Sequence, residues 1–277
     1  MASQIRQRVT AEPMKHAFIW GILLMSFFPM YLMAVISLKS SKQFFANPWL
    51  PTPPFHWENW WIAWGTVGQS IGVSVFVCVT VTALTLVLAI FASFFFGRFR
   101  VPGSGLLWLV FLVLLLMPAI ANLIPLFSLL RNLNLLNTLS AVILVGTSGG
   151  QVFCVYVLKH FVEEIPGDLF EAAEMDGASL MQQVRHIVVP MSGPILATLA
   201  ILRFVAEWNS FVLPLVVLRD ESKLPLAVKL YQLEGAYVQE WGPLMAAYSI
   251  ASVPIIVLFF FTMRFFVKGL SAGAIKG

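Results

Sequence analysis

Long apolar runs alternate with short polar stretches along the whole chain. Six stand out, at about 17–38, 69–97, 105–130, 139–160, 191–218 and 243–267. A bilayer core of roughly 30 Å takes about 20 helical residues to cross, so each run is long enough for one passage. Helices satisfy their own backbone polar groups in lipid, and runs of this length exceed the strands of a barrel. The pattern predicts an all-α, polytopic membrane protein with six transmembrane helices. No fixed-period repeat or long linker divides the chain, so residues 1–277 read as a single membrane domain.

One polar insert interrupts the pattern. Glu171-Ala172-Ala173-Glu174-Met175 is rich in good helix formers, and Asp176-Gly177 supplies a helix stop, because glycine takes left-handed backbone angles without steric cost. A second helix is predicted to restart at once. Ser179 and Gln182 have capping-box spacing, and Leu180, Val184, Ile187 and Val188 recur at intervals that share one helical face. Pro190 is expected to end this segment before the next apolar run. The result is helix, sharp turn, helix, membrane.

Two other polar stretches read as loops on the opposite side. Residues 40–68 carry Pro48, Pro51, Pro53 and Pro54 among Trp49, Trp57, Trp60, Trp61 and Trp64. Tryptophan favours the membrane–water boundary and proline breaks helices, so an interfacial loop is expected, with sugar stacking on these rings the lesser alternative. Gly68 and Gly72 form a GxxxG pair at the entry to the second run, a common device for close helix approach. Residues 219–242 mix Asp220, Glu221, Glu234 and Glu240 with Lys223, Lys229, Tyr231, Tyr237 and Trp241, which suits contact with a soluble partner.

Composition agrees with the pattern: 59% of residues are hydrophobic and 11% charged, and mean hydropathy is +0.87. The net charge of +4 does not point to nucleic acid, because the basic residues divide by side. Ten of them (Arg6, Arg8, Lys15, Arg98, Arg100, Lys159, Arg185, Arg264, Lys268 and Lys276) fall with the termini and the 98–104 and 160–190 loops; six fall on the other side. Basic residues near span ends favour the cytoplasm, so both termini and the Glu171 insert should face inward, in a cell inner (plasma) membrane protein. The first run follows basic residues but has no small-residue cleavage site, so it is read as a retained span and not a signal peptide. Cys78 and Cys154 sit alone inside runs, and the four histidines are scattered without metal-ligand spacing.

Reactive motifs are missing. No GxxxxGK[ST] loop, Ser-His-Asp set, nucleophile elbow or HExxH helix occurs, so an enzyme is not expected and any nucleotide site lies on another polypeptide. Ion-coupled carriers usually place ionisable groups inside the membrane. Here the clear cases are Arg203 and Glu207, four apart on one face of the fifth run.

The Glu-Ala-Ala, three residues, Gly, nine residues, Ile-x-Val-Pro pattern resembles the EAA loop of ABC importer permeases, with Val189 in place of leucine. Further segments carry the resemblance to the carbohydrate-uptake branch of that family, of the maltose-permease type. They are Pro125-Leu126-Phe127, Leu135-Leu136-Asn137-Thr138, Ile165-Pro166, Trp208-Asn209-Ser210-Phe211, Trp241-Gly242-Pro243-Leu244-Met245-Ala246-Ala247 and the tail Phe266-Val267-Lys268-Gly269-Leu270-Ser271-Ala272-Gly273-Ala274-Ile275-Lys276-Gly277. Ser210 departs from the pattern, since many relatives have Glu there.

The resemblance implies a permease that pairs with a second, homologous permease subunit and encloses half of a path for a sugar or polyol. Two cytoplasmic ATPase subunits would hold ATP and Mg, leaving this chain without a cofactor or metal, and an extracytoplasmic solute-binding protein would deliver the solute. Glu171, Ala172, Ala173, Met175, Asp176 and Gly177 would couple to the ATPase, and Gly269, Leu270, Ser271, Gly273 and Lys276 would contact it from a small, flexible tail. Residues 219–242 would reach the binding protein. The candidate path comprises Arg203, Glu207, Trp208, Asn209 and Ser210. Asn209 and Ser210 are the better sugar contacts, while Arg203 and Glu207 are expected to pair and to lock the span against the partner permease. The alternatives are a structural partner permease that never touches substrate, and an ion-coupled carrier.

Overall fold

In a computed structural model the backbone is described for residues 2–99, 102–117, 119–236 and 240–274, and side chains within 15–99, 102–117, 121–235 and 240–262. The described residues form helices and no strand. In chain order these are α1 (Ala2–Ser37), α2 (Ser41–Ala46), α3 (Glu58–Arg98), α4 (Ser104–Leu116), α5 (Leu123–Asn132), α6 (Leu139–Glu163), α7 (Gly167–Met175), α8 (Leu180–Gln183), α9 (Val189–Met191), α10 (Gly193–Trp208), α11 (Val212–Val217), α12 (Leu226–Ala236) and α13 (Trp241–Ala274).

Among the described residues, four segments are long and apolar enough to cross a membrane: Lys15–Ser37 of α1, all of α3, α6, and Trp241–Thr262 of α13. The second span begins earlier than the run at 69–97 suggests, because α3 already starts at Glu58 and takes in Trp60, Trp61 and Trp64. The third and fifth runs are divided. Within 105–130, α4 stops at Leu116 and Met117 turns extended (φ −77°, ψ 125°), the conformation favoured by a residue that precedes a proline. Within 191–218, α10 ends at Trp208 and α11 starts at Val212. The segments Leu180–Met191 and Gly193–Trp208 meet at a bend of 80°; counted together they make a fifth candidate span.

The chain separates into two compact units, 1–68 with 230–253, and 69–229 with 254–277. In the first, the loop after α1 is organised around Lys39, which is only 1% exposed. Its ammonium donates to the carbonyls of Asn47 and Leu50 and to Thr52 Oγ1. These acceptors compensate the charge that burial takes from water, although burial still pushes the Lys39 ammonium below its ordinary value. Asn59 Nδ2 ties α3 to the same turn by donating to the Ser37 and Lys39 carbonyls at 2.9 and 3.0 Å. Trp49, Trp57, Trp61 and Trp64 remain exposed, as interfacial anchors require. Gly68 lies against Trp64 of its own helix and Gly72 has open space around it, so neither seats a neighbouring helix among the described residues.

The second unit is layered along its helices. Val77, Val81 and Val142 pack with Leu218, Leu224 and Val228. Further along, Ala89 packs with Cys154, Val155, Leu158 and Leu199. Beyond them, Phe94 packs with Val162, Ile165, Phe170, Val184 and Val188. Cys78 and Cys154 are free and buried, and serve as packing residues. The stretch at 219–242 is less of a loop than expected. Its α12 carries the buried Leu226, Val228 and Leu233, and the Leu226 N–H is capped by Ser74 Oγ at 2.8 Å.

Candidate functional site

The polar insert folds as helix, turn, helix. α7 follows Pro166 and carries Asp168 in its first turn, where the helix dipole favours an acid. Its end is a Schellman motif: Gly177 takes φ 76°, the Ala178 N–H donates to the Ala173 carbonyl (2.8 Å), and the Gly177 N–H donates to the Glu174 carbonyl (3.0 Å). α8 then starts on the expected capping box, with Ser179 and Gln182 exchanging side-chain and backbone bonds.

Phe170 anchors this hairpin to the membrane unit. It is buried beside Phe94, with the Arg98 guanidinium 4.7 Å over its ring. Burying such a side chain contributes on the order of 1.5–3 kcal/mol. Glu171, Ala172, Glu174 and Asp176 face outward, Ala173 is half-buried, and Met175 is 89% exposed. Leu180 and Met181 are exposed as well. The outer face is therefore an apolar knob rimmed by acids. The sequence periodicity missed two features here: Phe170 lies outside the Glu-Ala-Ala pattern, and Leu180 points outward while Gln183, Val184 and Val188 face the core.

Pro190 does not end the second helix. Residues Val184–Val188 form a π-helical turn in which the Val189 N–H reaches the Val184 carbonyl, and the helix continues to Met191. A proline in a helix leaves a carbonyl without its N–H donor, and a π-turn is one way to absorb that loss. The chain then turns at Ser192 into α10.

Arg203 and Glu207 do pair, but within this chain. Arg203 Nη2 donates to Glu207 Oε2 at 2.5 Å and to the Gly146 carbonyl at 2.6 Å. The seat is a glycine notch on α6. A Cβ on Gly146 would lie 2.9 Å from Glu207 Oε2, and one on Gly150 would lie 2.5 Å from Arg203 Nε. Around the notch, Gln151 Nε2 donates to the Thr85 carbonyl at 3.2 Å. Arg203 Nε and the hydroxyls of Thr82 and Thr147 are buried without a partner among the described residues. The seat lies on α6 of this same chain, because its two glycines bring its backbone within reach of Arg203.

Trp208 is buried and stacks on Phe204, so it packs and does not line an open surface. α10 is capped at its C-terminus by Asn209, which is exposed, and Ser210 is half-buried. Asn209 Nδ2 donates to the Val205 carbonyl at 2.8 Å and the Ser210 N–H donates to the Glu207 carbonyl at 2.9 Å. The second bond satisfies a carbonyl that a continuing helix would have used, while the Val205 carbonyl also keeps its helical donor, the Asn209 N–H, at 3.2 Å. Pro214, lacking an N–H, adds to the break. The arrangement holds two neutral hydrogen-bonding residues at a gap between helices, one step from a buried ion pair.

In the tail, the backbone of α13 is helical through Ala274, which includes Gly269, Leu270, Ser271 and Gly273. Lys276 lies outside the described residues. So do residues 237–239 of the second polar stretch. Nearby, Tyr248 Oη donates to Glu234 at 2.7 Å, which holds one acid of that stretch in place.

Residues 85–272 match the family described as binding-protein-dependent transport system inner membrane component. The chain is 31% identical over 264 residues to the probable ABC transporter permease protein YurM of Bacillus subtilis, covering 94% of this chain and 87% of that one. It is 31% identical over 271 residues to the maltose/maltodextrin transport system permease protein MalG of Salmonella typhimurium, covering 90% of each. A chain from the crystal structure of a bacterial ABC transporter that imports the acidic polysaccharide alginate superposes with a TM-score of 0.80, at 21% identity, over 93% of this chain and 97% of that one. That likeness establishes the fold. The family match spans α7, the Arg203–Glu207 pair and the Asn209 gap. This multi-pass, all-α chain belongs to the family of inner-membrane components of binding-protein-dependent transport systems, ABC transporter permeases and not enzymes.

Proposed function

We propose that this chain is one permease subunit of an ATP-driven importer for a sugar or related polyol. The observation that carries the reading is the hairpin at 167–191: Phe170 fastens it to the membrane unit while Met175, Leu180 and Met181 project outward among acids. A short helix rooted at one end in a packed core is suited to act as a lever, because displacement of its tip is passed to the helices that hold its base. The partners are a second homologous permease, two ATPase subunits that hold ATP and Mg, and an extracytoplasmic solute-binding protein. Both termini and the hairpin face the cytoplasm. ATP binding closes the ATPase pair, the levers move, and the path opens to the binding protein; hydrolysis resets it. The names of relatives support a sugar-like cargo, maltose or maltodextrin for one and trehalose for another.

Burial of Arg203, Glu207 and Trp208 favours a divided role along α10. The pair and the ring hold the helix, which leaves Asn209 and Ser210, of these five residues, to exchange hydrogen bonds with hydroxyls. A permease that never touches substrate is the second reading, supported by the same burial.

The test is a Met175→Cys variant in the assembled transporter, treated with a short bifunctional crosslinker. A crosslink to the ATPase that changes in yield with ATP is the expected result. If the introduced thiol reacts fully yet yields no crosslink in an active transporter, the lever assignment fails. Photo-crosslinking of the solute carried by the binding protein separates the two readings of the path.

A further inference from the structure

A cavity of about 520 Å³ opens where α5, the turn before α6 and the end of α11 meet. It is lined by Phe127, Leu136 and Val216 together with Arg131, Asn137 and Arg219. Two arginines thus line one cavity whose lining includes no acidic residue. No described ion pair includes Arg131 or Arg219. The neighbouring acids are engaged elsewhere, with Asp220 on Lys223 and Ser222, and Glu221 on Lys229.

The backbone that carries these arginines is braced by Asn137, which has φ 59°. Its Oδ1 accepts from the N–H groups of Arg219 and Asp220, each at 3.0 Å. Its own N–H donates to the Val217 carbonyl at 2.9 Å, and its carbonyl accepts from Lys223 Nζ at 3.1 Å. Asn137 thereby stitches the turn after α5 to the end of α11. The cavity is a braced cradle whose lining combines apolar residues with two arginines.

We propose that this cradle binds the phosphate headgroup of an anionic phospholipid. Guanidinium groups recognise phosphate oxygens through paired charge-assisted hydrogen bonds, and basic pockets between membrane helices suit acidic headgroups. The apolar part of the lining favours a lipid over a free anion, since Phe127, Leu136 and Val216 offer contact to the glycerol backbone and first acyl carbons. Exposed Ile124, one turn before Phe127 on the same face of α5, continues that surface.

The experiment uses the full transporter in nanodiscs of phosphatidylglycerol with phosphatidylcholine, followed by gentle detergent release and native mass spectrometry. One phosphatidylglycerol per complex should survive release in the wild type. R131Q/R219Q should lose it by at least tenfold in occupancy, while K42Q, at an exposed lysine outside the cavity, retains it. Size-exclusion elution with partner subunits shows that each variant is assembled. Equal retention in R131Q/R219Q overturns the proposal. Displacement by inorganic phosphate at matched concentration also overturns it, because a free anion then suffices, and absence of bound lipid in the assembled wild type assigns the arginines to a partner subunit. Because the readout is lipid mass, the transport reading stands or falls separately.

Discussion

Arg203 donates to the carbonyl of Gly146, 2.6 Å away on α6, and this contact places the charged pair of α10 inside the chain's own core. A helical carbonyl is normally screened by neighbouring side chains. Glycine at 146 and 150 exposes the α6 backbone, so a guanidinium can approach it and bring its carboxylate partner along.

The pair should behave as a unit. Removing one member of a buried ion pair strands the other and costs roughly 3–5 kcal/mol, whereas removing both costs less. Arg203→Ala and Glu207→Ala should each lower the thermal midpoint of the purified complex more than the double variant does. Additive losses across this cycle would show that the two groups act independently.

The hairpin should separate anchoring from docking. Phe170→Ala removes a buried aromatic, and a loss of roughly 3–5 kcal/mol is expected, read as a lower thermal midpoint and weaker expression. Met175→Glu touches no core residue and should leave that midpoint within about 0.5 kcal/mol of wild type. Its expected effect is on ATPase activity stimulated by the loaded binding protein, which should fall severalfold. The reverse pattern would exchange the two roles.

Gly177 should tolerate little. At φ 76° a side chain is strained by roughly 1–2 kcal/mol, and proline, locked near φ −65°, does not fit. Gly177→Pro should insert into the membrane normally yet hydrolyse ATP without solute uptake in proteoliposomes. Wild-type uptake per ATP would remove the turn from the coupling route.

Asn209 and Ser210 are expected to act on the solute. Asn209→Ala and Ser210→Ala should raise the half-saturating concentration of loaded binding protein or solute by about threefold to tenfold, the loss of one modest hydrogen bond. Assembly should be unchanged. Unaltered values in both variants would place the solute on the partner subunit.

The tail should matter for ATPase contact although α13 runs through Ala274. Removing residues 270–277 is expected to reduce solute-stimulated ATPase activity at least twofold with the complex intact; unchanged stimulation would assign the segment no part in coupling.

Local chemistry was legible without a structure. The capping box of Ser179 and Gln182 and the stop at Gly177 depend on neighbours in sequence, and both form as their residue types dictate. The divided runs were less visible. Hydropathy sums over 105–130 and 191–218 record apolarity alone, and the breaks come from backbone bonding at Met117 and at Asn209 to Phe211. The early start of α3 was obscured because tryptophans suit both an interfacial loop and a helix end.

By itself, the sequence determined that this chain is a helical membrane protein with a polar hairpin, because hydropathy and helix capping act over a few turns. It also placed Arg203 and Glu207 on one face, since a spacing of four residues is helical geometry. Only the tertiary structure decided what that face meets. Gly146 and Gly150 lie more than fifty residues away along the chain and become a seat only when α6 packs against α10. The same holds for Phe170, whose anchoring depends on Phe94 and Val188, and for Arg131 and Arg219, which share a cavity because Asn137 joins two segments distant in sequence. Such contacts depend on long-range packing, which no local pattern of residues encodes.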